Sequence, residues 1–490
     1  MRSHRLVHTG KGRFWEVHWE QGQVETTTGA LGTNGRSTAR SMGIRDAELY
    51  VQELLARRRK EGFVELTDVG TRSAPLVVDS LLEQIRSAPG EDAPRLVYAD
   101  QLTAAGDPLG EFITVQVSLA RAPQGPDAAV HRYRERELLE RFRGQWSGKL
   151  RGVDFRFERG FAVEARLRMD DLQLHAASLW KAAPLLTSLH VTNESWRAGD
   201  ILTLLGAQPD AARLRELHLT FLQGGTSAVA SALRHAPHLT QLEALSLRRA
   251  GLTDSDIIDL LEPPRFPQLR RLDLRTNALS SGALGAARKR PLTHLLFASN
   301  RLGQSSVHEL TKAGTRLEGL ERLDLSGNGI GDEGLRVLGR ELRFTQLKWL
   351  GLSHVNASSD GLAALSTGSI ATHVEQLELA GNALHGEGLR TILGGAFPAL
   401  THLDVSETQL GDDGLGALLE SPAAAQLVSL ELKKNALSVK SALRLAAARF
   451  PRLEYLSVSG NPLGESGLAA LKQAFPHVQL VGRGAREEEE

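Results

Sequence analysis

Leu320-Glu321-Arg322-Leu323-Asp324-Leu325-Ser326-Gly327-Asn328 decides the fold, because its frame returns along the chain. The pattern Leu-x-x-Leu-x-Leu-x-x-Asn occurs in eleven copies, opening at Leu186, Leu214, Leu242, Leu269, Leu292, Leu320, Leu347, Val374, Leu400, Leu427 and Leu453. The copies lie 26 to 28 residues apart, except for 23 between Leu269 and Leu292, and a half copy closes the series at Val478 and Leu480. The first half of each copy alternates apolar and polar residues, which predicts a short strand. The second half carries apolar residues at helical spacing, as in Gly334-Leu335-Arg336-Val337-Leu338, after a turn such as Gly331-Asp332-Glu333. One such unit buries five or six aliphatic side chains at roughly 1.5–3 kcal/mol each. Ordering its backbone costs about 1–2 kcal/mol per residue, so a single unit is not stable alone. Stacked units share a core, and a solenoid follows: a curved parallel sheet on the concave side, helices on the convex side.

This frame resembles the ribonuclease-inhibitor-like class of leucine-rich repeats, over residues near 186 to 483. The resemblance implies an α/β solenoid that works as a binding scaffold. Asn277, Asn300, Asn328, Asn382, Asn435 and Asn461 keep the Asn column, while Glu194, Leu222, Ala250, Val355 and Thr408 depart from it. Amides at such positions are expected to be buried and bonded to turn backbone.

Two regions precede the repeats. Residues 76–183 read as mainly helical, with Pro94 and Pro108 in first helical turns and Asp92 and Asp107 as candidate caps. The stretches Asp92 to Leu102, Gly106 to Ile113 and Phe157-Glu158-Arg159-Gly160-Phe161 resemble the bacterial repeat-companion domain, with Gln101 where that family commonly has Trp. The resemblance implies company for the repeats and a bacterial source, not a chemistry. Residues 1–70 read as a small α+β unit. Phe14 to Trp19 and Gln23 to Thr28 are strands, Gly29 to Gly35 is a Gly-rich loop, and Ile44 to Arg59 is an amphipathic helix closed near Gly62. This order resembles the WGR domain, although Thr28-Gly29-Ala30 stands where the Trp-Gly-Arg signature would be. Some WGR domains touch DNA ends, so the run Arg57-Arg58-Arg59-Lys60 is a candidate nucleic-acid contact; its other reading is charge favoured at a helix C-terminus. Glu487 to Glu490 end an acidic tail over 484–490.

Composition narrows the chemistry. Lysine plus arginine number 58 and aspartate plus glutamate 58, which argues against strong non-specific attraction to nucleic acid. Cysteine is absent, so disulfides and thiolate chemistry are excluded. No apolar run suits a signal peptide or a membrane span, and a cytoplasmic protein is expected. Gly329-Ile330-Gly331-Asp332-Glu333-Gly334 fits G-x-G-x-x-G, yet the same slot recurs as a solenoid turn in other copies, so no dinucleotide site is inferred. No H-E-x-x-H or Gly-x-Ser-x-Gly occurs. Asp92, Asp100, Asp107 and Glu111 read as caps and solvated acids. No enzyme, metal or cofactor is expected.

The functional signal lies in the residues between the core leucines, which the two-residue period of a strand points outward. The central outward column is His190, His218, Ser246, Asp273, Leu296, Asp324, Gly351, Glu378, Asp404, Glu431 and Ser457. Its neighbour contains Arg271, His294, Arg322, Trp349, Gln376, His402 and Tyr455. Aromatic and arginine side chains beside fixed charges suit binding hot spots. Arg271, Asp273, Arg322, Asp324, Trp349, Glu378, His402, Asp404, Glu431 and Tyr455 are therefore the candidate contacts to a protein partner. The plainer alternative is a solvated face with local pairs, Arg271 with Asp273 and Arg322 with Asp324.

Overall fold

A computed structural model describes residues 2–8, 13–30, 36–65, 74–148, 150–193, 208–221, 228–234, 236, 238–341 and 343–482. The acidic tail, Leu222, Glu194 and most of the Gly-rich loop lie outside these residues. The chain forms two compact units, residues 1–111 and 112–490.

In the first unit, strands β1 (Arg2–His8), β2 (Arg13–Glu20), β3 (Gln23–Ala30), β4 (Arg36–Ser41) and β5 (Val64–Glu65) make an antiparallel sheet in the order β4-β3-β2-β1-β5. Alternation in β2 sends Trp15 and Val17 inward. Helix α1 (Ile44–Lys60) covers them with Ala47, Val51 and Leu55, one helical face at four-residue spacing. Gly62, at φ +86°, lets the chain leave α1 in the left-handed region, and the Phe63 N–H closes the end on the Arg58 carbonyl. Two further helices follow, α2 (Ala74–Ser87) and α3 (Ala93–Ala104). Asp107 caps the next helix, α4 (Pro108–Arg121), through the Leu109 N–H at 2.9 Å; Asp92 makes no side-chain cap bond to α3.

The second unit is one continuous solenoid. Its sheet has 14 strands in sequence order. They are β6 (Val153–Glu158), β7 (Phe161–Arg168), β8 (Ser188–Asn193), β9 (Glu216–Phe221), β10 (Ala244–Arg248), β11 (Arg271–Asp273), β12 (His294–Leu296), β13 (Arg322–Asp324), β14 (Trp349–Gly351), β15 (Gln376–Glu378), β16 (His402–Asp404), β17 (Ser429–Glu431), β18 (Tyr455–Ser457) and β19 (Gln479–Val481). From β7 to β19 every pair is parallel. The opening residue of each copy, Leu186 to Leu453, is at most 1% exposed, and one apolar cluster runs without a break from Phe155 to Val478. Helices such as Gly331–Arg340, Gly411–Glu420 and Gly464–Ala474 cover the other side. Strands repeat every ~4.8 Å whereas helices need ~8–10 Å, so the sheet takes the inside of the bend.

The sheet begins earlier than the repeat frame that opens at Leu186. β6 and β7 form a hairpin, and β7 pairs with β8. Arg159 (φ +49°) and Gly160 (φ +90°) make its two-residue turn, which needs positive φ at both positions. A Cβ on Gly160 would lie 2.1 Å from the Ile113 side chain, and the Gly160 N–H donates to Gln116 Oε1 at 2.6 Å. Thus the Phe157 to Phe161 stretch, read as the end of a helical region, is the tip of the hairpin with which the sheet begins. Helices α5 (Ala128–Trp146) and α6 (Met169–Ala182) flank it in sequence.

Candidate partner-binding face

The Asn column does structural work. Asn382, 1% exposed, donates to the Leu352 and Leu379 carbonyls (2.7 and 2.8 Å) and accepts from the Val355 and Ala357 N–H groups (both 3.1 Å). Asn277, Asn300, Asn328, Asn435 and Asn461 bind turn backbone in the same manner. Where the column fails at Thr408, the hydroxyl donates to the Val405 carbonyl at 2.6 Å. A second ladder was not foreseen: Asp254, Asp332 and Asp412 each accept from the backbone N–H and hydroxyl of a serine 26 residues on, Ser280, Ser358 and Ser438. These acids sit in the helix-opening turns, where a G-x-G-x-x-G reading would have placed phosphate. Their spacing equals one repeat, which is the signal that could have revealed them.

The outward columns are in register as expected. Ser246, Asp273, Leu296, Asp324, Gly351, Glu378, Asp404, Glu431 and Ser457 follow one another across the strands, and Arg271, His294, Arg322, Trp349, Gln376, His402, Ser429 and Tyr455 form the adjacent row. The local pairs differ from those expected. Arg271 reaches past the small Ala244 to Glu216, two strands away, at 2.6 Å. Asp273 is held by the Arg275 guanidinium at 2.7 and 2.9 Å. Arg322 lies over the Trp349 ring, 3.9 Å from its centroid, rather than on Asp324. Trp349 is consequently only 8% exposed, not the open aromatic expected. Its ring spreads across Gly351, where a Cβ would come within 2.6 Å of both Asp324 Oδ1 and the indole.

Two depressions divide the candidates. Trp349, Glu378, His402, Asp404 and Glu431 line one of about 130 Å³. Arg271 and Asp273 line another of about 350 Å³ with His190, His218, Arg248, Arg275 and His294. Tyr455 lies one strand beyond Ser429. In the first depression Asp404 accepts from the Ser406 N–H (2.9 Å) and Glu431 pairs with Lys433 (2.5 Å). The neighbouring Asp324, 5% exposed, accepts from the Ser326 N–H (3.1 Å). Burial pushes the Asp324 and Asp404 carboxyls up. Burial, followed by Asp324 and Asp404, pushes Glu378 up to about 7, against a smaller opposing effect of the Trp349 indole. The row is thus a desolvated line of like charge.

The second depression holds a network that the sequence reading missed. His190 and His218 stack at 4.1 Å between ring centroids, Glu216 lies beside them, and Glu164 is gripped by Arg156 and Arg166 at 2.7 and 2.6 Å. The run Arg57 to Lys60 ends α1 in the other unit. Arg57 and Arg58 pair with Glu61 at 3.3 and 2.6 Å, and Arg58 also faces the Trp15 and Phe63 rings, so these members of the run are engaged locally.

With this geometry in place, comparison with known proteins names the repeat. The model of the Leucine Rich repeat family matches residues 320–339, 371–393 and 398–419. The chain carries leucine-rich repeats. Ribonuclease inhibitor of Sus scrofa is 29% identical over 341 residues, covering 63% of this chain and 73% of that protein. Tonsoku-like protein of Bos taurus is 31% identical over 288 residues, or 54% of this chain; the match spans only 19% of that longer protein. Among solved structures, a chain of the yeast Rad7 and Elc1 complex aligns over 91% of this chain and 99% of its own, at 14% identity and a TM-score of 0.46. A leucine-rich-repeat protein of Leptospira interrogans covers 60% of this chain and 72% of its own at 18% identity, TM-score 0.32. The matched family model is that of a repeat, not of an enzyme. No helix among the described residues is long and apolar enough to cross a membrane.

Proposed function

We propose that this chain is a non-enzymatic adaptor whose leucine-rich repeats grip a basic, extended segment of a protein partner along the row Asp324, Glu378, Asp404 and Glu431. The observation that carries this reading is Glu378: a carboxyl flanked by like charge and raised to about 7 gains most from an incoming cation. Four strand steps separate Asp324 from Glu431, or about 19 Å, a span that roughly six extended residues cover. Arg322 on Trp349 closes one end of the row and Tyr455 stands beyond the other. The kinship with ribonuclease inhibitor, a protein named for acting on another protein, agrees with such a role. A nucleic-acid contact through Arg57, Arg58, Arg59 and Lys60 has less behind it, because Glu61 already neutralises part of that run.

Fluorescence anisotropy with a labelled six-residue Lys/Arg peptide tests the proposal. We expect saturable binding that weakens at least ~10-fold in the triple variant Asp324→Asn, Glu378→Gln, Asp404→Asn, each lost charge pair being worth about 0.5–1 kcal/mol. Equal affinity for wild type and triple variant removes the row from the argument.

A further inference from the structure

The larger depression contains side chains for which partner binding along the acidic row has no use. His190 and Ser188 on β8, and His218 and Glu216 on β9, occupy a two-by-two block of the sheet. All four point outward between buried residues Leu189 and Leu217. The ligating atoms of His190, Glu216 and His218 lie within 4.8 Å of one another. We propose that these three residues bind a divalent transition metal, of the zinc or cobalt(II) class, at this end of the sheet.

Three observations support it. First, the donor set is two imidazoles and a carboxylate, which suits these ions and leaves coordination positions open toward the depression of about 350 Å³. Second, His218 Nε2 is shielded from solvent without a hydrogen bond of normal length; its nearest carboxylate oxygen, Glu216 Oε2, is 3.5 Å away. A shielded imidazole nitrogen without a close partner is a position that a metal ion can complete. Third, the two oxygens of Glu216 are divided. Oε1 takes the Arg271 guanidinium at 2.6 Å, whereas Oε2 faces the histidines and the Ser188 hydroxyl at 3.1 Å. Arg271 thus orients the carboxylate as an outer partner, leaving one oxygen for the metal.

Tetrahedral coordination places two ligating nitrogens about 3.3 Å apart at Zn–N distances of ~2.0–2.1 Å. The stacked rings must therefore tilt toward each other, and their part-exposed edges leave room to do so. Glu164 stays outside the proposed ligand set. Its nearest oxygen is 3.6 Å from His190 Nε2, and both of its oxygens already accept from arginines.

The test is a cobalt(II) titration of the full chain after chelator treatment, followed by its visible d–d absorption. One equivalent of Co²⁺ should give a saturable band that added Zn²⁺ removes. His218→Ala and, separately, the near-isosteric Glu216→Gln should each weaken binding at least ~100-fold, the upper range seen for losing even an outer partner. Glu378→Gln, in the other depression, should leave the titration unchanged. No saturable band, or a band that survives both substitutions in variants with wild-type circular dichroism, overturns the proposal. Neither result touches the peptide-binding test, which reads a different part of the sheet.

Discussion

Glu378→Gln should stabilise the free protein at pH 8 and do little at pH 5. In the folded chain this carboxyl sits at about 7 against an ordinary 4.5, so the folded state holds its proton more tightly than the unfolded state does. Between those values the unfolded chain binds fewer protons, and stability falls as pH rises from 4.5 through about 7. Taken at face value, the displacement is worth about 3 kcal/mol. The side chain is only part-buried, and solvent screening leaves roughly 1 kcal/mol. Glutamine keeps the shape and carries no charge to penalise. Thermal melts should show the variant about 1–3 °C above wild type at pH 8, with the gap closing by pH 5. Because a long repeat array need not unfold in one step, the comparison belongs on the transition that reports Trp349. A gap of the same size at both pH values, or wild type the more stable at pH 8, would refute the claim that ionised Glu378 is costly. The same variant should bind the basic peptide less well, so stability and binding move in opposite directions.

Other outcomes follow from the same contacts. Asn382→Ala strands two buried N–H groups and two carbonyls, and should cost about 3 kcal/mol in urea unfolding. Gly351→Ala drives a methyl into Asp324 and the Trp349 ring; a loss of about 1–3 kcal/mol and a red-shifted tryptophan emission should report the displaced indole. Asp332→Ala leaves the Ser358 N–H and hydroxyl without their acceptor and should cost roughly 1–2 kcal/mol, more than Ser358→Ala, when the two variants are compared by denaturant midpoint.

The repeat frame was legible because two periods coincide in it. A 26–28-residue return located the units, and a two-residue alternation inside each strand separated Leu323 and Leu325 from Arg322 and Asp324. Partner choice was not legible, because it depends on what stands between columns. Arg271 is next to Asp273 in sequence terms, yet its guanidinium finds Glu216 because Ala244 leaves the way clear. Trp349 resembled an exposed anchor until Gly351, with no side chain, gave its ring a place to lie down. The hairpin at Arg159-Gly160 was hidden for a related reason. Its turn needs positive φ, which a helical reading of the flanking residues does not consider.

The acidic row is also a consequence of stacking. Parallel in-register strands bring equivalent positions of successive repeats ~4.8 Å apart, so an acid repeated in one column meets its own kind. Such a row is unfavourable unless something offsets it. At Asp324 and Asp404 the offset is partial, a serine N–H two residues on. At Glu431 it is Lys433. Glu378 sits between these solutions in a depression shared with the neutral Trp349 indole, and Gly351 on one side gives it space instead of charge. An internal lysine two residues on, as at Lys433, would have relieved it; this chain has Ala380 there. The strain is therefore local, and an external cation placed on Glu378 relieves it together with its two acidic neighbours. Under the proposed function, that favours this strand over the larger and better neutralised depression around Arg271 for a charged segment of a partner.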